Sequence, residues 1–405
     1  MHILLIHQAF VTPSEGGGTR HYELAQHCRE KGQELVIVAS NLNYLTGTPL
    51  PDCDGLFTKQ RIDGLTVLRA YTYPSLHRSF VWRVVSFLSF MVASAWAGLR
   101  AGPIDVVMGT SPPIFQAVSA WLVAALRRRP FLLEIRDLWP EFAIDMGVLS
   151  NPLLIRLSRR LESFLYARAT HIMVNSPAYR DYLVDKGILE KKISFISNGV
   201  EPKMFYPEDQ GNAIRKSLGL EGKFVVTYAG ALGMANDIPT ALWAASKLKD
   251  QDHIRFLFVG DGKERENLER FAAEQHLTNV IFAGSMPKAE MPHILAASDA
   301  CMAGLQNIPM FATTYPNKVF DYMAAGRPTI LAIGGVIRRV IEESKGGIFV
   351  PPGDHQAFAD AVLYLEQHRD EGKAMGKAAR TYVENHFDRA MQAAQFSTLL
   401  TTLAK

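Results

Sequence analysis

The chain has 405 residues, 48% of them hydrophobic and 20% charged, with a formal net charge of +3. That length exceeds one ordinary core and predicts two or three domains, and the composition excludes a disordered chain. A charge so near zero, without a Lys/Arg tract or an aromatic-basic array, argues against a nucleic-acid partner. Cys28, Cys53 and Cys301 are scattered and odd in number. They fit neither a disulfide framework nor a metal spacing and read as reduced packing thiols of a cytosolic protein. The opening MHILLI is a strand-length apolar run without a basic flank or a small-residue cleavage site, so no signal peptide is expected.

In chain order, apolar β-rich runs fall at residues 2–6, 34–39, 65–70, 104–108, 131–135, 171–174 and 193–196. A second series follows at 224–228, 255–259, 280–283, 300–303, 328–332 and 347–350. Continuous apolar strands separated by helix-length stretches indicate parallel sheets buried on both faces. The pattern resets at NGVEPKMFYPEDQG, residues 198–211, whose prolines, glycines and mixed charges are linker composition. The expected fold class is therefore α/β: two doubly wound, Rossmann-like domains, residues 1–200 and 201–385, facing each other across a linker. A C-terminal helix over 386–405 is expected to pack back toward the first domain.

Ligands of such sheets bind beyond the carboxyl ends of the strands. After the first strand comes HQAFVTPSEGGGTRHY, with Gly16, Gly17 and Gly18 just before a helix that begins near Thr19 or Arg20. Their amides would sit at a positive helix terminus suited to phosphate or carboxylate, although a flexible loop that starts a helix uses glycine too. A nicotinamide dinucleotide fits poorly. About ten residues separate the strand from the glycines, and Ser40-Asn41 stand where an acid is required. A Walker A loop is absent.

The second half carries further signals. TYAGALGMAND places Gly230 and Gly233 between a strand and a helix, and FVGDGKERENLERF does the same with Asp261 and Arg265. YPNKVFDYMAAGRP puts Lys318 and Asp321 three apart on one helix face. A cation for diphosphate and a carboxylate for ribose is the polarity that a nucleotide diphosphate requires. Taken alone, an i,i+3 surface ion pair explains the same two residues.

Together, EGGGTRHYELAQH, FLLEIRDLWPE, NGVEPKMFYP, YAGALGMAND, FVGDGKERENLE, MPKAEMPHILAASDA and PNKVFDYMAAGRP resemble the family 4 glycosyltransferases of the GT-B fold, over nearly the whole chain. The wording EGGGTR and EIRDLWPE is similar to the bacterial surface-polysaccharide branch (O-antigen and capsule), which includes proposed N-acetylfucosamine transferases. The resemblance implies a retaining enzyme without a cofactor. Its second domain would hold a nucleotide-diphosphate sugar, UDP favoured, and its first a lipid-linked saccharide acceptor on polyprenyl diphosphate. The carboxylate at Asp321 would bind ribose. The sequence departs from the family at three places. The paired glutamates fall at Thr313 and Asp321, the usual Arg and Lys are missing from GALGMAND, and Arg136-Asp137 replaces the frequent His-Asp. Arg265 and Lys318 then remain as cations for the diphosphate.

The chemistry needs preorganised donors at a departing diphosphate. Donor-binding candidates are Gly17, Gly18, Gly230, Gly233, Asp261, Arg265, Lys318 and Asp321. Catalytic candidates are Asp137, Arg136 and His7, with Glu141 and His21 nearby. A donor phosphate oxygen that takes the acceptor proton itself is the alternative to a base. Asp52-Cys53-Asp54 spells D-x-D but sits in a Pro/Gly loop, so it reads as a turn and no metal is expected. A sugar-nucleotide epimerase and a catalytically silent sugar-nucleotide binder remain alternatives on the same frame.

Residues 84–99 carry no charge, with Arg78 and Arg83 before them and Phe80 and Trp82 adding apolar bulk. The segment reads as a buried crossover helix or as an interfacial helix that brings the acceptor side to the cytoplasmic face of the membrane, with Arg127, Arg128 and Arg129 adding attraction to lipid. The family resemblance favours the interfacial reading.

Overall fold

The computed structural model describes residues 1–15, 17–43, 46–75, 80–205, 207 and 212–405. The chain divides into two compact units, one formed by Met1–Ser197 with Ala390–Lys405, the other by Asn198–Arg389.

In the first unit eight strands form one sheet: β1 (His2–Ile6), β2 (Glu34–Ser40), β3 (Phe57–Ile62), β4 (Leu65–Ala70), β5 (Val106–Ser111), β6 (Phe131–Ile135), β7 (His171–Val174) and β8 (Ile193–Phe195). Their order is β3-β4-β2-β1-β5-β6-β7-β8. All neighbours are parallel except β3, which pairs antiparallel with β4 at the edge. The apolar runs do not announce β3, because its sequence FTKQRI alternates and only one side is covered. β5 runs on past its apolar stretch through Gly109, Thr110 and Ser111, since β1 and β6 continue to offer it partners there. That extension carries a polar hydroxyl to the carboxyl end of the sheet.

Six helices follow these strands: α1 (Arg20–Glu30), α2 (Phe80–Leu99), α3 (Ile114–Arg127), α4 (Glu141–Asp145), α5 (Pro152–Arg168) and α6 (Pro177–Asp185). α2 and α3 pack together on one face of the sheet. The opposite face holds Ile3, Leu5, Ile37, Val67, Met108 and Leu132, with Leu24 and Cys28 of α1.

The second unit repeats the plan with β9 (Phe224–Ala229), β10 (Ile254–Val259), β11 (Val280–Gly284), β12 (Ala300–Gly304), β13 (Thr329–Ala332) and β14 (Gly347–Phe349). Their order is β11-β10-β9-β12-β13-β14, and every neighbouring pair is parallel. Its helices are α7 (Asn212–Ser217), α8 (Ile238–Lys247), α9 (Arg265–Glu274), α10 (Met291–Ala296), α11 (Asn317–Ala324), α12 (Val336–Ser344), α13 (His355–Gln367) and α14 (Arg369–His386). One core lies under α8, α9 and α13, the other under α10, α11, α12 and α14. Both units are thus three-layer α/β domains of Rossmann-like type, with helices on both sheet faces.

The last helix, α15 (Arg389–Leu403), sends Ala393, Phe396 and Leu400 into the first unit's core beside Ile3, Leu5 and Leu35. Phe396 is fully enclosed there. Phe396→Ala is expected to cost about 3–5 kcal/mol through lost burial and an unfilled cavity. Denaturant unfolding followed on the first unit should show a correspondingly lower midpoint.

Candidate active site

In the first unit the polar residues collect at the carboxyl ends of β1, β5 and β6. His7 lies one residue past β1, buried, with Nδ1 3.0 Å from Thr110 Oγ1 on β5. Gln116 Nε2 donates to the same hydroxyl oxygen at 2.8 Å, which fixes the threonine. The ring of His21, on α1, lies 4.1 Å from that of His7. His21 Nε2 is 2.5 Å from Glu134 Oε2, and Arg20 Nε donates to Glu134 Oε1 at 3.2 Å.

Glu134 sits within β6 and has no exposed surface. Burial would push its carboxyl up, but His21, Arg20 and Arg136 together override that and hold it at about 2. His7 meets the opposite balance. Burial first, then the positive character of His21 and Arg136, pull it well below the ordinary histidine range, so its imidazole is neutral at pH 7.

Arg136 and Asp137 follow β6. Arg136 Nη2 donates to Pro112 O at 2.6 Å, while its buried Nε has no hydrogen-bond partner among the described residues. Asp137 is pushed up to about 6 by burial, against the pull of Arg136 and a hydrogen bond from Tyr179. Glu141 differs. Arg159 grips it with two bonds of 2.9 Å and holds its carboxyl low. Of the two carboxyl groups, Asp137 is the one that titrates near neutral pH. Gly17, at φ 141°, and Gly18 are exposed and precede Thr19, the residue that leads into α1. Gly16 lies outside the described residues.

In the second unit two glycine loops pack on each other. Leu232 N donates to Asp261 O at 2.9 Å and Glu264 N to Leu232 O at 3.0 Å. A side chain at Gly260, where φ is 148°, would place Cβ 1.8 Å from Gly230 O. Glycine is required there by the neighbouring backbone, not by a ligand. Gly233, by contrast, borders open space. Lys318, the second residue of α11, turns its Nζ toward this corner, 2.6 Å from Tyr228 Oη and 2.9 Å from Asn236 Oδ1. Lys318 is half-buried, and burial pulls its ammonium down to about 7.

A family model described as a glycosyl transferase 4-like domain matches residues 15–199, and one described as glycosyl transferases group 1 matches residues 223–368. The chain belongs to the GT-B glycosyltransferases. The probable glycosyltransferase WbjE of Pseudomonas aeruginosa is 29% identical over 75% of this chain and 76% of its own length. WcaI of Escherichia coli, named for colanic acid biosynthesis, is 23% identical over 92% and 93%. The fold is shared with Anabaena HepE, solved with UDP and glucose, at a TM-score of 0.75 and 17% identity over 99% of both chains.

In this glycosyltransferase Lys318 and Asp321 share a helix face but do not pair with each other. Asp321 pairs instead with Lys288, from the short turn Lys288–Glu290. Arg265 is neutralised by Glu269 at 2.7 Å and Asp261 at 3.3 Å, so Lys318 is the less compensated of the two cations. Thr313, at a position where the family has glutamate, donates back to Met310 O at 2.5 Å. Asp52, at φ 55°, and Asp54 lie in the turn before β3.

On α2, Phe90, Ala93 and Ala97 face inward, whereas Val81, Trp82, Leu88, Val92 and Trp96 stand out, Val81 and Val92 at 65% exposure. The helix is therefore a crossover helix on one side and an exposed, largely apolar surface on the other. It is also long and apolar enough by composition to cross a membrane. Arg83 is exposed at its start; Arg78 and the side chain of Phe80 lie outside what is described.

The Arg20–His21–Glu134 network was not found in the sequence, although a lone glutamate inside the buried run FLLEI is the signal for it. Tyr228, Asn236 and Lys288 carried no signal of their own.

Asp137 yields a prediction with a definite sign. Its folded value near 6 lies above the ordinary 3.8, so the native state holds the proton more tightly. Stability is lost as pH rises through that window, and the full cost, about 2–3 kcal/mol, is present above it. Asp137→Asn should melt higher than wild type at pH 8 and show a smaller gain at pH 5. An equal gain at both pH values would mean that the carboxyl is not held near 6.

Proposed function

We propose that this glycosyltransferase is a retaining enzyme of bacterial surface-polysaccharide synthesis. It moves a sugar, an N-acetylated deoxyhexosamine in the reading we favour, from a UDP donor to a hydroxyl of a polyprenyl-diphosphate-linked saccharide. The observation that carries the donor side is Lys318: a half-buried lysine, beside a glycine loop at the end of β9, with no carboxylate among the described residues as a salt-bridge partner. The names of WbjE and WcaI and the UDP bound to HepE support the same reading.

In this scheme the second unit holds the nucleotide. Asp321 receives the ribose hydroxyls, and Lys318 with the amides around Gly233 takes charge from the diphosphate. These fixed donors stabilise the leaving group as the anomeric C–O bond to phosphate breaks. The first unit presents the acceptor hydroxyl, whose proton passes to Asp137, to His7 or to the departing phosphate oxygen. No metal is required where a cation and amides already meet the charge. The enzyme acts at the cytoplasmic face of the cell membrane, held there peripherally by the apolar stripe of α2 and by Arg83, Arg127, Arg128 and Arg129.

The central test incubates the protein with UDP- and GDP-sugars, with and without a polyprenyl-diphosphate saccharide. Acceptor-dependent diphosphate release, undiminished by EDTA, is expected. Isomerised donor would identify an epimerase, and binding without turnover a silent binder. Asp321→Ala is expected to weaken UDP binding about tenfold or more through loss of a charged hydrogen-bond acceptor, with the melting temperature little changed.

Sedimentation with liposomes addresses the membrane. Anionic vesicles should pull down wild type at low salt and release it at high salt, and Trp82→Ser/Trp96→Ser should stay in the supernatant. Wild type that stays in the supernatant with every vesicle composition would make α2 a purely structural helix.

A further inference from the structure

The surroundings of Lys318 allow its protons to be counted. Nζ has two acceptors, Tyr228 Oη and Asn236 Oδ1. Neither acceptor is free to swing. The Tyr228 hydroxyl donates its own proton to Ala231 O at 2.7 Å, and Asn236 Nδ2 donates to the same oxygen at 3.0 Å. One backbone carbonyl therefore fixes which atoms face the lysine: an oxygen lone pair from each side chain. The ring of Tyr228 lies below, with Nζ 4.1 Å from its centroid. Gly230 makes the room, because a Cβ there would stand 3.0 Å from Nζ.

A neutral amine has two N–H groups and an ammonium has three. The two acceptors match both N–H groups of the amine and leave the ammonium with one N–H that no protein acceptor among the described residues takes. The charged groups nearby are committed elsewhere. Asp237, on the loop before α8, caps that helix through Thr240. Asp261, after β10, is held by Gly262 N and Arg265. Asp321, on α11 itself, is paired with Lys288, and the Tyr322 hydroxyl is bonded to Ala229 on β9. Cys301, on β12, is a buried thiol pushed far above its ordinary range. Among the described residues no carboxylate lies within salt-bridge distance of Lys318.

We propose that Tyr228 and Asn236 are positioning residues that hold Lys318 as a neutral amine in the empty site, and that the nitrogen takes up a proton when the nucleotide diphosphate arrives, its third N–H going to a phosphate oxygen. The inference rests on the nucleotide reading above and adds a proton to it. Transfer balances simply: solvent supplies H⁺ to the lysine lone pair, and no other bond changes. Burial pulls the free nitrogen to about 7, in agreement with the hydrogen-bond count. A phosphate dianion at contact distance would then restore the charged form. The arrangement spares the empty site an uncompensated buried charge and supplies that charge where the donor needs it.

The experiment is titration calorimetry of UDP at pH 8, where its phosphates are fully ionised, in buffers of different ionisation enthalpy. Wild type is expected to take up close to one proton per UDP bound, and its affinity to fall by about tenfold per pH unit above pH 7, as one linked proton requires. Two variants separate this from a structural role. Lys318→Arg carries a permanent charge, and Asn236→Asp gives the lysine a carboxylate that keeps it protonated. Both should bind UDP with no proton uptake and a flat pH profile. Binding of UDP by wild type without proton uptake, or uptake unchanged in both variants, overturns the inference and leaves the nucleotide reading standing. Failure of wild type to bind UDP at all would remove the nucleotide reading itself. In the unliganded protein, the ε-carbon NMR signal lost in Lys318→Arg should titrate near neutral pH. A signal still at its ammonium position at pH 8 overturns the inference whatever binds.

Discussion

Glu134 is ionised and without solvent, and a carboxylate so placed persists only if cations and donors reach it inside the protein. Arg20 and His21 reach it from the start of α1, and that requirement fixes where the helix begins. Arg20 also donates to the carbonyls of Ile196 and Ser197, so one guanidinium ties β6, α1 and the exit of β8 together. The position of Gly17 and Gly18, just ahead of that anchored turn, follows from it. So does the position of His7, whose ring rests on His21. The first unit's polar end is organised outward from one buried charge.

The second unit reaches a comparable result with backbone. Its two glycine loops interlock through amide-to-carbonyl bonds, and side chains are excluded where the loops cross. The interlock fixes Ala231 O, which fixes Tyr228 and Asn236, which in turn place Lys318. A chain of hydrogen bonds four groups long thus converts a packing constraint into the location of one lysine nitrogen. Ala231 O, the Tyr228 hydroxyl and the Asn236 amide all have partners in it, and mutual satisfaction of this kind makes a network rigid.

Sheet composition was legible in the sequence because parallel strands buried on both faces are continuous apolar runs, and those runs located every strand except β3. That edge strand alternates, as one-sided burial demands, and its period carries too few residues to stand out. The polar half of β5 was missed for a related reason: pairing with β1 and β6 extends a strand where composition alone would end it. At the site, residue identity was easier to read than partnership. Lys318 and Asp321 were visible as a cation and an acid on one helix, yet their partners come from β9, from the loop before α8 and from the turn at Lys288, far away in the chain. Hydrophobic periodicity records which face of an element is buried and says nothing about which side chain waits there.

The return of residues 390–405 to the first unit has a consequence for how the protein is made. Phe396 and Leu400 belong to the same core as Ile3, Leu5 and Leu35. During synthesis α1 can cover its share of that sheet face, but the part that α15 fills stays open while the whole of the second unit is translated. Roughly 200 residues at about 5–20 residues per second leave it open for about 10–40 s. Over that interval the second unit can complete itself first, although it is encoded later. The order of folding then runs against the order of translation, and the apolar face of β1 and β2 is the surface a nascent-chain chaperone would have to shield.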